Sequence, residues 1–182
     1  MLRRVFVDTE WTAVPWSSAS DLLWIGLADE DGQSWCALSA DARVEPGNER
    51  YVADLLELIT PDVPRLARSE LAGAVLDFCG HVDEFWAWIP TPGRFSEWSR
   101  LGEAALEVYK TCRDIDLQML QALVTPWPNT WPNTLQDLNV AAVAAGVELP
   151  PRAVNFLHPR VHAEWNRQLY ACIRATNPRS DA

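Results

Sequence analysis

The order of apolar patterns along the chain predicts an α/β protein, in which a mixed β-sheet opens as an antiparallel meander and is flanked by helices. Three short apolar runs come first, and Glu30-Asp31-Gly32-Gln33 between the last two is typical of a hairpin turn. These runs lie at 3–10, 21–28 and 34–39. Helical spacing follows, interrupted by one more strand pattern over Glu84–Ile89. A meander followed by alternating helices and strands therefore defines the predicted fold class.

Helical spacing of apolar residues predicts six helices, and proline and glycine mark their ends. Pro61 and Gly80 end the first two. Thr134 is a candidate N-cap for the fifth helix, and Gly146 is its C-terminal stop. Pro159 suits the first position of the last helix. The predicted helices cover 49–59, 66–79, 94–110, 116–124, 134–145 and the segment from Pro159 onward.

Length and composition indicate one ordinary globular domain. The 182 residues are 48% hydrophobic and 22% charged, and we place a single domain at 1–175 with a flexible tail at 176–182. No apolar run reaches membrane-spanning length, and no signal peptide pattern opens the chain. The four cysteines lie far apart without C-x-x-C spacing, which predicts free thiols in a reducing cytoplasm. They are Cys36, Cys79, Cys112 and Cys172.

The net charge of −10 argues against broad electrostatic capture of nucleic acid, because such binding needs a positive footprint. The negative charge does not exclude an enzyme in which local metal ions and a few arginines offset the negative electrostatic field of the protein. Ten tryptophans are present. Most are expected to be core or loop anchors, since aromatic side chains bury large areas, and the alternative is base stacking in a nucleic-acid groove.

The first strand ends in two acids, Asp8 and Glu10, separated by one residue. Because side chains alternate along a strand, both carboxylates are expected on one face. Two carboxylates held together repel unless a cation lies between them, and oxygen ligands suit hard ions such as Mg²⁺ or Mn²⁺. The alternative is an ordinary strand end with both acids in water.

The last helix carries two histidines on its apolar face. At 100° per residue, six residues fall within about a third of the circle. They are His158, His162, Trp165, Leu169, Cys172 and Ile173. The histidines are either core residues satisfied by backbone carbonyls or functional groups presented to the acid pair of the first strand.

Five motifs, in order, resemble those of the DEDD superfamily of 3′→5′ exonucleases, which have a ribonuclease H-like fold. Within that superfamily they are most similar to the ribonuclease AS-like exoribonucleases. The likeness runs along most of the chain. The matching segments are Val7–Glu10, Leu23–Leu27 with Glu30-Asp31-Gly32, Phe85–Trp88, Leu135–Leu138 with Gly146 and Leu149-Pro150, and His158 with Ala163–Tyr170.

The resemblance implies a site in which four acids hold two divalent ions, Mg²⁺ or Mn²⁺, and a His or Tyr acts on the attacking water. It assigns catalysis and metal binding to Asp8 and Glu10, and the general base to His158. The second-motif acid falls at Gly93, which cannot bind a metal. The last acid falls at His162, which can still ligate Mn²⁺ or Zn²⁺ and is retained as a catalytic and metal-ligating candidate.

Four other acids are candidates to complete the set: Glu97, Asp114, Asp116 and Asp137. Asp137 is the one favoured from the sequence. Loss of one well-placed electrostatic group typically costs about 10²–10³ in rate, so two losses predict weak activity or none.

Three functions are compatible with this pattern. The first is a metal-dependent 3′→5′ exoribonuclease on single-stranded RNA or short oligonucleotides, and the second is an inactive exonuclease fold retained for binding. The third is a zinc hydrolase using His158, His162 and the acid pair, and it lacks the Glu that follows the first His in zinc-protease helices. Pairing into a homodimer is expected from the resemblance, and no membrane partner is expected. A nucleic-acid partner would be favoured by a rim of arginines drawn from Arg94, Arg100, Arg160 and Arg167.

Overall fold

The structure is a computed structural model that describes residues 2–13, 20–57, 59, 62–89, 114–151 and 158–176. The helix expected at 94–110, the second-motif position at Gly93 and residues 177–182 of the expected tail lie outside the described residues. In the part of the chain that is described, no helix is both long and apolar enough to cross a membrane.

Six strands form one mixed sheet in the order β4-β3-β2-β1-β5-β6. The antiparallel meander predicted from the sequence is confirmed for β1, β2 and β3, and β4, β5 and β6 each join a neighbour in parallel. The strands are β1 (Arg4–Trp11), β2 (Leu22–Asp29), β3 (Ser34–Ser39), β4 (Arg65–Leu66), β5 (Glu84–Ala87) and β6 (Leu135–Asp137).

Five helices are described, and the last of them is the longest. They are α1 (Glu49–Leu56), α2 (Arg68–Cys79), α3 (Ile115–Leu123), α4 (Leu138–Ala145) and α5 (Pro159–Thr176). Gly146 ends α4 with φ of 64°, a left-handed conformation that glycine adopts without strain. This confirms the predicted stop.

One helix start differs from the prediction. Leu135–Asp137 pair with β5 as a short parallel strand, so α4 begins at Leu138 and its N-cap is Asp137 rather than Thr134. The Asp137 carboxylate accepts hydrogen bonds from the backbone N–H groups of Asn139 and Val140, at 2.8 and 3.2 Å. Sheet pairing overrides the helical pattern here, because the three residues complete the edge of a sheet.

Alternation along β1 divides the core between two layers. Val5 and Val7 pack with α2 and α3 on one side of the sheet. Phe6 packs with α4 and α5 on the other side. Trp24 of β2 packs with α1 in a third cluster. The face of β1 that carries Phe6 therefore continues toward Asp8 and Glu10 under α5 and α1.

Candidate functional site

The acid pair lies where β1 runs between β2 and the start of α5. In the β1–β2 register, Asp8 is opposite Gly26 and Glu10 is opposite Trp24, and the register shifts just after Glu10. Asp8 is 7% exposed and Glu10 is half-buried. The two carboxylates thus share one face at the end of a strand that is buried along most of its length.

Helix α5 approaches β2 closely because Gly26 has no side chain. A Cβ at Gly26 would lie 2.1 Å from the carbonyl oxygen of Pro159, far inside van der Waals contact. Further along the helix, the buried Asn166 side chain donates from Nδ2 to the carbonyl oxygen of Val7 at 3.2 Å. Two fixed points, at Pro159 and at Asn166 of the helix, therefore set the position of α5 over the strands.

His162 lies between these two fixed points along α5 and contacts Asp8. Its Nδ1 is 2.5 Å from Oδ1 of Asp8, and both side chains are largely buried. The first turn of α5 therefore places His162 directly against Asp8. His162 stands at the position where the resemblance implies the fourth acid.

A third carboxylate reaches the site from the opposite layer. Asp116, in the first turn of α3, accepts through Oδ1 from both the N–H and the hydroxyl of Thr9, at 2.9 and 2.6 Å. β1 pairs with β5 only from Arg4 to Phe6. Thr9 lies beyond that pairing, and its backbone N–H donates to Asp116. Asp116 lies close enough to Asp8 for the charge of Asp8 to raise the pKa of Asp116.

Two of the three acids, Glu10 and Asp116, have raised pKa values. Burial raises the pKa of Glu10 well above its ordinary value, and the charges of Asp8 and Asp116 add to that rise. Burial likewise raises the pKa of Asp116 from 3.8 to about 7, with Asp8 adding to the effect. The pKa of a carboxyl group rises in this way when the group is buried and other negative charges lie near it.

Tyr51 is a member of the site that the sequence did not indicate. Its hydroxyl donates a hydrogen bond to the Glu10 carboxylate, which partly offsets the rise in the pKa of Glu10. Tyr51 lies on α1 and packs on the cluster that contains Trp24, Val52 and Leu55. In the sequence it is one more apolar residue at helical spacing, so nothing distinguishes it from a core position.

His158, just before α5, is 4% exposed. Burial lowers its pKa, Arg160 adds to that decrease, and Asp62 and Glu164 act against it. Among the residues that the structure describes, its Nδ1 has no hydrogen-bond partner. Burial of His158, one turn before His162, therefore favours the neutral imidazole.

The acids considered as replacements have different positions. Glu97 lies outside the described residues, as does the second-motif position at Gly93, and Asp114 is exposed. Asp137, favoured from the sequence, caps α4. Asp116 is the one brought to Asp8, from a helix that no spacing rule connects with the first strand.

The donor set fits a divalent cation in its chemistry. Three carboxylates and an imidazole meet, and Oδ2 of Asp8 is buried without a hydrogen-bond partner in the described part of the chain. Within 2–13, 20–57, 59, 62–89, 114–151 and 158–176, no three His, Cys, Asp or Glu side chains already stand in metal-binding positions. Cation binding by these residues would need their side chains to move from the positions that they have here.

The raised pKa of Asp116 predicts a pH-dependent stability for the metal-free protein. The folded state keeps a proton that the unfolded chain releases near pH 3.8, so the free energy of unfolding should fall as the pH rises toward 7. Asp116→Asn removes this titration. Urea denaturation at about pH 5 and about pH 8 should show the variant gaining stability relative to the parent at the higher pH. A difference that does not change with pH would contradict the prediction.

Comparison with known proteins gives a match in structure. The chain is similar to the X-ray structure of the RNase domain of the yeast Pop2 protein, with a TM-score of 0.53 and 13% sequence identity. The match covers 94% of this chain and 76% of that one. No family model matches the sequence, and no curated protein matches it. The predicted ribonuclease H-like fold is thus confirmed, and the narrower likeness to ribonuclease AS-like exoribonucleases stays a prediction.

Proposed function

We propose that this protein is a metal-dependent 3′→5′ exoribonuclease-like hydrolase that acts on single-stranded RNA or short oligonucleotides. The observation that carries the proposal is the meeting of Asp8, Glu10 and Asp116 at the end of β1, with His162 completing the group. The fold shared with an RNase domain supports the same class of substrate. Fold alone does not determine function, so the site carries the argument.

Each residue has a proposed role. Asp8, Glu10, Asp116 and His162 would hold Mg²⁺ or Mn²⁺, ions that supply a reactive hydroxide and neutralise charge on a phosphodiester. His158 would accept the proton of the attacking water, because its lowered pKa favours the neutral imidazole.

A second candidate function is RNA binding without turnover. The observation in its favour is that His162 stands where the resemblance implies the fourth acid, so the site has one negative charge fewer than a four-acid set. The site residues would then keep their places in the fold and bind RNA without hydrolysing it.

Two further expectations accompany the proposal. The described cysteines, Cys36, Cys79 and Cys172, are free thiols, which is compatible with the predicted cytoplasmic location. That location and the homodimer stay predictions.

Degradation of a 5′-labelled single-stranded RNA, with Mg²⁺ and separately with Mn²⁺, tests the proposal. We expect a ladder that shortens from the 3′ end, and its loss in the double variant Asp8→Ala, Glu10→Ala. The DNA oligonucleotide of the same sequence reports the sugar preference. Absence of turnover with either ion, in protein with a folded circular dichroism spectrum, would overturn the hydrolase. Retention of the RNA on a filter without cleavage would then support the second candidate.

A further inference from the structure

We infer that residues 158–162, the start of α5, form a gate that covers Asp8 and opens separately from the rest of the fold. The use of this gate rests on the proposed function, because opening it would admit RNA to the site. Three observations carry the inference: what the gate covers, what holds it against the sheet, and which polar atoms it buries.

The first observation is a row of three residues that lies across the sheet beneath the gate. Asp8 of β1 is opposite Gly26 of β2, and Gly26 is opposite Cys36 of β3. Residues paired in this way project from the same face of a sheet. The two side chains of this row are covered, since Asp8 is 7% exposed and Cys36 is 6% exposed.

The gate contacts all three members of this row. The His162 ring lies against Asp8. The backbone of Pro159 and Arg160 lies over the central glycine. A backbone hydrogen bond from Arg160 reaches the sulfur of Cys36. A phosphodiester therefore cannot reach Asp8 while the gate is closed, and a thiol reagent cannot reach Cys36.

The second observation is that polar and backbone contacts hold the gate, whereas apolar packing holds the rest of α5. Among the residues that the structure describes, no member of the three apolar clusters comes from 158–162. The cluster beneath the remainder of the helix contains Ala163, Trp165, Leu169, Tyr170 and Ile173. Local opening occurs where few apolar contacts have to break. The gate can therefore separate from the sheet while the helix beyond it stays packed.

The third observation is that the closed gate buries two polar atoms at a cost. Within the described part of the chain, Nδ1 of His158 and Oδ2 of Asp8 are buried and have no hydrogen-bond partner. A polar atom that has lost water without gaining a partner destabilises the state that buries it. Opening the gate returns both atoms to water, which favours an open minor state in the free protein.

The gate has a defined use in the proposed function. RNA reaches Asp8 in the open state, and closure returns His162 to the site. A ligand that binds only the open state associates at a rate proportional to the open fraction. The gate therefore controls how fast RNA enters, and its own opening does not depend on RNA.

Thiol labelling of the native full chain with N-ethylmaleimide, without RNA, tests the opening. Mass mapping after digestion assigns the label to each cysteine. Cys172 is exposed and should react at once, whereas Cys79 is 0% exposed in the core and should react only when the whole protein unfolds. Cys36 should react at an intermediate rate, because local opening of the gate exposes it.

Two variants distinguish opening of the gate from global unfolding. Pro159→Gly removes the fixed φ of the first helical residue and should raise the labelling rate of Cys36 by about fivefold. Val75→Ala, in the core beneath α2, should raise the labelling rate of Cys79 by about tenfold or more. The same core variant should leave the rate of Cys36 within about twofold of the parent.

Three labelling results would overturn the inference. They are equal rates for Cys36 and Cys79 in the parent, a rate of Cys36 that rises with that of Cys79 in Val75→Ala, and a rate of Cys36 that is unchanged in Pro159→Gly. The first two would mean that Cys36 is exposed by global unfolding. The third would mean that the reagent reaches Cys36 by a route other than the gate.

Stopped-flow association of a 5′-fluorescein single-stranded RNA, with Mn²⁺ present, separates the inference from the proposed function. Association should be faster in Pro159→Gly than in the parent by the same factor as the labelling of Cys36. Faster labelling without faster association would overturn control of access by the gate. Faster association without degradation of the RNA would support the gate and overturn the hydrolase. Absence of any association would overturn the proposed function, and the labelling rates would still decide whether the gate opens.

Discussion

Asp116→Asn should lower the rate of RNA degradation by about 10²–10³-fold, the usual cost of removing one well-placed electrostatic group. Asparagine has the shape of aspartate, and its oxygen can still accept from the N–H and hydroxyl of Thr9, as Asp116 does now. The variant therefore removes a charge beside Asp8 while keeping the connection between α3 and β1. Single-turnover rates with saturating Mn²⁺ measure the effect on chemistry.

Asp137→Asn is the matched control for this experiment. It removes the same charge from the acid that the sequence favoured, and asparagine caps a helix about as well as aspartate does. Because Asp137 caps α4, its replacement should leave the degradation rate within about twofold of the parent. Equal losses in the two variants, or a parental rate in Asp116→Asn, would show that Asp116 is not part of the site.

Gly26→Ala should destabilise the protein by about 1–3 kcal/mol or more and reduce degradation together with stability. The new methyl group would lie 2.1 Å from the carbonyl oxygen of Pro159, a backbone atom that no side-chain rotation can move. Relief requires α5 to shift away from β2, which takes His162 away from Asp8. Urea denaturation measures the loss of stability.

Gly73→Ala provides the comparison for that change. Gly73 lies within α2, and a Cβ there meets no atom within 4 Å. Alanine should stabilise the helix by roughly 0.5–1 kcal/mol relative to glycine. If both alanine variants behaved alike, the close approach of α5 to the sheet would not be the reason for glycine at position 26.

The parts of the fold that follow periodic patterns could be predicted from the sequence. α1, α2 and α5 each bury one face, so helical spacing reveals them, and the meander is indicated by short apolar runs with a turn signal between the last two. β4 and β6 have two and three residues, too few for any period, and they exist because a neighbouring strand offers hydrogen bonds. The helix predicted from Thr134 was wrong in its start for the same reason.

The site likewise contains residues that a sequence pattern indicates and one residue that only packing brings in. Asp8 and Glu10 come from one strand, so a two-residue spacing is enough to propose the pair. Asp116 is 107 residues from Thr9, the residue it bonds, and it arrives from the other layer of the sheet. Only the packing of α3 against β1 brings these residues together, and a single sequence carries no signal of that contact.

The connection between Val7 and Asn166 joins residues 159 positions apart. During synthesis, the strand that carries Asp8 and Glu10 therefore leaves the ribosome well before the helix that carries His162. A chain interrupted anywhere before α5 has the acids without their partner and without the helix that covers them. Nascent or truncated copies that lack α5 should therefore lack the assembled site, because the order of translation delays its assembly.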